Sequence, residues 1–236
     1  MDEICQCCGM ILKTSDDMGR FTDGTVNSDY CRFCFSDGGF THATMDEQIQ
    51  CNLQHLEEWR LEKDVDISRG EAEIQLREYL PQLKRWLPME KKTSWILERC
   101  GYVVLSTSHM GFPRPIAMDV LLSEGIRRLW MTADSNSVKV CDLRADDKAG
   151  VCIVRNGDNI TLIGHAYVHD DRETKERFWD DRLTAYFPDG IGDRGYCIIE
   201  FVADEAMIWI DGESGTIDPR FEVSVSPDTS HRCCTS

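Results

Sequence analysis

Four cysteines near the start of the chain have the types and spacing to hold a metal. Cys5-Gln6-Cys7-Cys8-Gly9-Met10 and Tyr30-Cys31-Arg32-Phe33-Cys34 set two C-x2-C pairs 22 residues apart. Two thiolates three positions apart in a tight turn take adjacent corners of a tetrahedron, with zinc–sulfur bonds of about 2.3 Å. The pattern therefore reads as a tetrathiolate zinc ribbon, with Cys5, Cys8, Cys31 and Cys34 as ligands to Zn²⁺. Gly9 and Gly38 follow the two pairs and suit such turns, because glycine accepts a positive φ. Cys7 opens other ligand choices; the matched spacing of the two pairs selects Cys5 and Cys8 and leaves Cys7 a spare thiol. Structural zinc is the default role, since so small a module buries too little to fold without metal. Redox exchange through these thiols is the rarer reading.

A second constellation lies in Leu129-Trp130-Met131-Thr132-Ala133-Asp134-Ser135-Asn136-Ser137-Val138-Lys139-Val140. A strand running into a helix through Thr132, Ser137 and Lys139 gathers hydroxyls, backbone N–H groups and an ammonium at a helix N-terminus, where an anion such as a phosphate is stabilised. A solvated helix cap uses the same residue types, so this segment gains meaning only with its neighbours. His109 reads as a turn residue, and His165 and His169 fall toward a strand end. No carboxylate or nucleophilic cysteine is evidently paired with any of them, so no catalytic residue is assigned.

The elements that must position these groups change character along the chain. Thr44-Met45-Asp46-Glu47 and Ser68-Arg69-Gly70-Glu71 have the spacing of capping boxes. After the first, Ile49, Leu53, Leu56 and Trp59 or Arg60 recur at helical intervals; after the second, Ile74, Leu76, Tyr79, Leu80 and Leu83 form an apolar stripe, broken near Pro81 and ended at Pro88. From Cys100 the period becomes strand-like. Residues 101–107 and 115–122 predict a hairpin, 126–132 a third strand, 137–144 a short helix, and 150–155 with 159–168 a pair across Asn156-Gly157-Asp158. Residues 170–187 predict an amphipathic helix with Phe178, Trp179, Leu183 and Phe187 on its apolar side, and 195–210 a long final strand or strand pair. The stretch from Glu213 to Ser236 lacks a period and reads as a poorly ordered tail. Six strands joined mostly by tight turns point to an antiparallel barrel.

Composition bounds the function. The 236 residues, 42% hydrophobic and 29% charged, suit a small module plus one main domain. No apolar run approaches the roughly 20 residues needed to cross a bilayer, and the acidic start is the wrong chemistry for a secretory leader, so the expected location is cytoplasmic, without membrane contact. Twelve cysteines there read as metal ligands and buried free thiols rather than disulfides. The net charge is −16, and residues 1–43 hold seven acids against three bases. Nucleic-acid binding needs clustered Lys and Arg, and no segment has them. A zinc-ribbon regulator of transcription is a rival reading that suffers from this missing basic patch.

The succession from Leu105-Ser106-Thr107-Ser108-His109-Met110-Gly111-Phe112-Pro113-Arg114-Pro115 through Trp130-Met131-Thr132 to Ser137-Val138-Lys139 resembles the pyridoxamine 5′-phosphate oxidase-related split barrels, in the general stress protein branch. The likeness continues through Gly164-His165-Ala166-Tyr167, Asp170 to Lys175 and Phe178-Trp179 to Gly190, and the two cysteine pairs resemble the zinc ribbon fused to some members. The resemblance implies a mainly β fold with helices: a zinc ribbon over 1–43, a helical connector over 44–94, an FMN-binding split β-barrel over 95–211 and an irregular tail over 212–236. It implies a homodimer with FMN in a groove at the subunit interface. Ser137 and Lys139 would hold the phosphate, Thr132 would meet the ribityl chain or ring edge, Arg114 would add positive charge, and Trp179 would cover the ring. In many relatives the strand-two arginine stands about three residues after the proline, whereas Arg114 follows Pro113 directly. The implied activity is oxidoreduction of a small substrate, in which the flavin carries the electrons and the protein supplies position and electrostatics. Nothing marks a pyridoxal phosphate pocket. The alternative is a binding or sensing protein that holds flavin, haem or a deazaflavin without turnover, its ribbon docking a protein partner.

Overall fold

The computed structural model describes residues 3–63 and 65–221. Six short strands open it: β1 (Glu3–Ile4), β2 (Ile11–Leu12), β3 (Met18–Arg20), β4 (Val26–Cys31), β5 (Phe35–Ser36) and β6 (Gly39–Phe40), paired as three two-stranded ribbons. Helices α1 (Met45–Gln54), α2 (Leu56–Lys63), α3 (Arg69–Tyr79) and α4 (Met89–Leu97) follow. Then come β7 (Val103–His109), β8 (Phe112–Met118), β9 (Leu122–Glu124), β10 (Arg128–Asp134), α5 (Val138–Ala145), β11 (Lys148–Arg155), β12 (Asp158–His169), α6 (Arg172–Arg177), β13 (Tyr196–Ile210) and β14 (Glu213–Ile217). β7 to β14 form one eight-stranded sheet in the order β8-β7-β11-β12-β13-β10-β9, with β14 on β13.

Both predicted capping boxes close. Thr44 accepts from the Glu47 N–H and Ser68 from the Glu71 N–H, while each glutamate reaches back to its cap residue. Two helical expectations are corrected. The first predicted helix is two, because the chain turns at His55 between α1 and α2. Ile74, expected on the apolar stripe, is 61% exposed; Ala72 is the buried residue of α3, and Leu80 and Leu83 after it are buried as expected. Pro88 ends the second segment as expected, with Leu87 extended before it, and it also opens α4 at its N-cap, where a residue without an N–H costs no intrahelical bond.

In the strand-rich half, the expected hairpins form. β7 pairs with β8 from Val103↔Met118 to His109↔Phe112. Asn156 and Gly157 turn β11 into β12 with φ of 47° and 83°, the left-handed pair that a tight hairpin demands. A Cβ on Gly157 would also stand 2.7 Å from the Phe21 ring. Two expectations fail here. The amphipathic helix over 170–187 exists only as α6, because the Asp180 carboxylate accepts from the Arg182 N–H at 2.8 Å and starts a separate 3-10 turn over Asp181–Ala185. Its apolar residues do gather, with Phe178, Trp179, Leu183 and Phe187 packing on Trp130, Tyr196 and Ile198. The tail expected from Glu213 begins as β14, paired with β13; residues 222–236 lie outside the described ones. Among the described residues no helix is long and apolar enough to cross a membrane, and ten cysteines are free thiols.

The chain divides into two compact units. The first comprises residues 1–101, 152–161 and 207–215; the second comprises 102–151, 162–206 and 216–236. The first unit is built around two features. One is the aromatic core of the ribbon, where Phe35 meets Phe21 and Phe40 edge-on at 5.2 Å and Tyr30 meets Phe40 at 4.9 Å. The other is a buried charge cluster centred on Lys84, whose ammonium lies 2.8 Å from Asp29, 2.5 Å from Asp158 and 3.6 Å from Asp211. Lys92 at 2.7 Å and the Tyr30 hydroxyl at 2.6 Å complete Asp211, and Arg155 and Asn156 complete Asp29 at 2.7 and 2.8 Å. Burial opposes the charge on Lys84, but Asp29, Asp211 and Asp158 outweigh it and hold its pKa above the usual lysine value. Three acids and three bases from distant parts of the sequence thus offset one another's charge in a largely buried cluster.

Candidate functional site

The metal-ligand expectation meets a defined geometry. Sγ atoms of Cys5, Cys8, Cys31 and Cys34 all lie within 4.8 Å of one another. The Cys8–Cys31 separation is 3.8 Å, and the edge of a tetrahedron with zinc–sulfur bonds of about 2.3 Å is also ~3.8 Å. The turns that achieve this are local. The Gly9 N–H donates to the Cys5 carbonyl at 2.9 Å with φ of 82° at Gly9, and the Cys34 N–H donates to the Cys31 carbonyl at 3.0 Å. A Cβ on Gly9 would lie 2.6 Å from the Tyr79 ring. The Cys31 N–H donates to Cys5 Sγ at 3.2 Å, the kind of bond that stabilises a thiolate.

Without a cation the four sulfurs cannot all ionise. Burial opposes the Cys5 thiolate, but hydrogen bonds from Cys31, Cys34 and Cys8 outweigh it and bring its pKa well below the usual thiol value. Contacts with Cys34 lower Cys31, whereas contacts with Cys31 push Cys8 and Cys34 up. A divalent cation is the charge that four clustered sulfurs lack.

Cys7 lies outside the cluster, its thiol donating to Gln48 Oε1 at 3.2 Å. Gln48 also takes Cys34 Sγ at 3.5 Å, and its amide donates to Asn52, which donates to the Cys8 carbonyl. Helix α1 therefore supplies an outer shell to the cysteines. The sequence offered no sign of it, because Gln48 stands outside the stripe of Ile49, Leu53 and Leu56.

The second constellation sits where β10 passes into α5. Antiparallel pairing of β10 with β13 runs from Arg128↔Val202 to Asp134↔Tyr196 and places Thr132 opposite Ile198, half-buried. Ser137 is the N-cap of α5, with φ −68° and ψ 152°, yet its hydroxyl caps nothing. Ser137 Oγ is buried without a hydrogen-bond partner. An N-cap serine ordinarily accepts from the first turn, and the N–H groups of that turn have no intrahelical acceptor. Lys139, half-buried in the same turn, makes no ion pair or hydrogen bond with a described residue. Helix dipole, orphaned hydroxyl and uncommitted ammonium together suit an anion.

Arg114 stands opposite Thr107 across the β7–β8 hairpin, and both reach Asp142, a buried carboxylate of α5. The Arg114 guanidinium lies 3.3 Å from Asp142, Thr107 donates to it at 3.2 Å, and His109 Nδ1 lies 2.9 Å away. The charge expected of Arg114 is thus shared with a carboxylate. Trp179 packs edge-on to Tyr196 at 5.3 Å within the apolar cluster, and Tyr196 pairs with the last residue of β10.

The histidines, read as lacking carboxylate partners, all have them in this half. Besides His109, His165 lies 3.0 Å from Asp147 and 3.5 Å from Asp204, and His169 lies 2.8 Å from Glu200. His109 and Asp142 are 33 positions apart, and His169 and Glu200 31, so no local spacing announces these pairs.

Comparison with known families and structures agrees with this architecture. Residues 4–87 match the model described as "Putative zinc ribbon domain", and residues 98–225 match that described as "Pyridoxamine 5'-phosphate oxidase like". A Clostridium acetobutylicum protein related to general stress protein 26 of B. subtilis, of the pyridoxinephosphate oxidase family, is similar in structure with 24% identity and a TM-score of 0.50, over 54% of this chain and 92% of that one. General stress protein 26 from Bacillus anthracis str. Sterne is similar with 23% identity and a TM-score of 0.48, over 56% and 99%. The search of curated proteins returned no match. With its eight-stranded antiparallel sheet, its four-cysteine cluster and a family match over more than half its length, the chain belongs to the pyridoxamine 5′-phosphate oxidase-like family.

Proposed function

We propose that the protein is an FMN-dependent oxidoreductase acting on a small-molecule substrate, working as a homodimer with the flavin at the subunit interface, and that its ribbon holds one structural Zn²⁺. The observation that carries the flavin reading is the buried, unpartnered Ser137 hydroxyl at the start of α5, in the same turn as the uncommitted Lys139. An orphaned buried hydroxyl costs about 1–3 kcal/mol, and a phosphate oxygen is the acceptor that would relieve it. Ser137, Lys139 and the first N–H groups of α5 would hold the phosphate of FMN, and Thr132 would meet the neighbouring part of the cofactor. When bound, the flavin would supply hydride or single-electron transfer. The chain's own part is to bind, to orient and to shield. Lys139 would offset part of the phosphate's negative charge in a protein of net charge −16, Asp142 holds Arg114 in place, and the Trp179–Tyr196 packing stiffens the end of β10. Cys5, Cys8, Cys31 and Cys34 would hold the zinc.

The test is an absorption spectrum of the purified protein followed by FMN titration. Flavin bands and tight FMN binding are expected, with Lys139→Ala weakening affinity about tenfold or more, the loss of one charge-assisted contact. A colourless protein that ignores FMN, or unchanged affinity in the variant, would remove the reading. Anaerobic reduction by NADH or NADPH then separates turnover from storage: a bound flavin that no donor bleaches would leave a binding protein.

A further inference from the structure

Strands β1 and β2, the turn from Cys31 to Cys34 and helices α1 to α3 line a cavity of about 1010 Å³, all within the first unit. Ile4, Leu53, Leu56 and Leu76 give it apolar walls. Three aromatic side chains join them, each from a different element: Phe33 from the turn, Trp59 from α2 and Tyr79 from α3, which are 60%, 39% and 38% exposed. The ribbon's core rings, Phe21, Tyr30, Phe35 and Phe40, pair with one another. Phe33, Trp59 and Tyr79 pair with no other ring among the described residues. One exposed ring on a protein surface needs no explanation, but three around a single apolar cavity mark a place where something binds.

Charge narrows the choice of occupant. Among the described Asp, Glu, Lys and Arg side chains only Glu58 lines the cavity, and His55 Nδ1 already lies 3.3 Å from its carboxylate. An anion would find no lysine or arginine in this lining and would enter a chain of net charge −16. A cation would surrender its hydration among apolar walls for one carboxylate that is itself 80% exposed. An uncharged molecule incurs neither cost, and the volume suits one of drug-like size. We infer that this cavity is a binding site for an uncharged aromatic small molecule, held by ring contacts with Phe33, Trp59 and Tyr79 and by burial against the leucines. It shares no residue with the anion site at the start of α5, which belongs to the second unit. The inference therefore goes beyond the flavin proposal and stands without it.

The test titrates the full chain with N-phenyl-1-naphthylamine, an uncharged aromatic probe whose fluorescence rises in apolar surroundings, and separately with 1-anilinonaphthalene-8-sulfonate, the same ring system carrying a negative charge. One saturable site per chain is expected, with Kd about tenfold lower for the neutral probe. Trp59→Lys removes a ring and sets an ammonium in the lining, so it should weaken the neutral probe about tenfold and narrow the gap between the two. Gln75→Trp, at an exposed position lining the cavity, should weaken both by filling space, and it decides the matter if the first variant does not fold. Met110→Lys, at an 87% exposed position of the second unit, should change neither affinity, and excess FMN should not displace the neutral probe. Equal affinity for the two probes, unchanged affinity in a folded cavity variant, loss of binding in Met110→Lys or displacement by FMN would each overturn the inference. So would a stoichiometry that falls as protein concentration rises, because a second copy of the chain would then be what covers the cavity.

Discussion

At the scale of single residues, the contrast is between groups that have spent their hydrogen-bonding capacity and one that has not. The four ligand sulfurs converge within 4.8 Å and Cys7 turns its thiol to Gln48, while the Ser137 hydroxyl has no partner. Ser137→Ala is therefore expected to leave the stability of the cofactor-free protein unchanged or raised by up to about 1 kcal/mol, since an unsatisfied buried hydroxyl disappears. The same variant should weaken FMN binding several-fold. Urea denaturation without flavin and titration with it read the two effects, and a variant that is destabilised yet binds FMN normally would make Ser137 a structural cap. The ligand cysteines were legible because their partners in each turn are three residues away. The carboxylate partners of the histidines were not, because Asp142 and Glu200 come from other elements.

At the scale of elements, Lys84 is the point where segments far apart in sequence meet. Of its carboxylates, Asp29 also has Arg155 and Asn156, and Asp211 has Lys92 and Tyr30. Asp158 has no other side-chain cation among the described residues, and burial already pushes its carboxyl pKa up. Lys84→Met should cost about 3–5 kcal/mol, chiefly by stranding that buried carboxylate. The sign of the pH dependence follows. With its cation gone, Asp158 titrates higher in the folded state than in the unfolded one, so the folded chain binds the extra proton, and its relative stability rises as pH falls through the folded pKa. The gap between wild type and variant should narrow as pH falls toward the ordinary carboxylate range, and Asp158→Asn in the Lys84→Met background should recover much of the loss. Denaturant midpoints at several pH values test this; a gap that widens toward acid would place the cost elsewhere. Capping boxes and hairpin turns were readable at this scale because each is closed by residues within four positions. The helix expected over 170–187 misled because its apolar spacing is real, yet Asp180 caps a new turn and bends the chain while the same side chains still reach one cluster.

For the whole molecule, the proposed subunit arrangement makes its own prediction: light scattering of the FMN-loaded protein should give twice the chain mass of 27.0 kDa, and a monomer that retains flavin would refute a shared site. Charge and composition were informative here, since the absence of any basic segment follows from counting residues. The division into units was less so, because the first unit takes in 152–161 and 207–215 as well as the N-terminal residues. What the sequence determined alone was everything governed by short-range geometry: the C-x2-C knuckles, the helix caps, the Asn156-Gly157 turn and the alternation that makes β7, β11 and β12. Tertiary structure decided whatever depends on distant residues becoming neighbours: Gln48 behind the cysteines, the carboxylate beside each barrel histidine, Arg114 committed to Asp142 and the ion cluster on Lys84. The physical reason is that backbone sterics and local hydrogen bonds act over a few residues. Burial of charge instead depends on which side chains the completed fold brings together out of reach of water, and spacing along the chain carries no record of that.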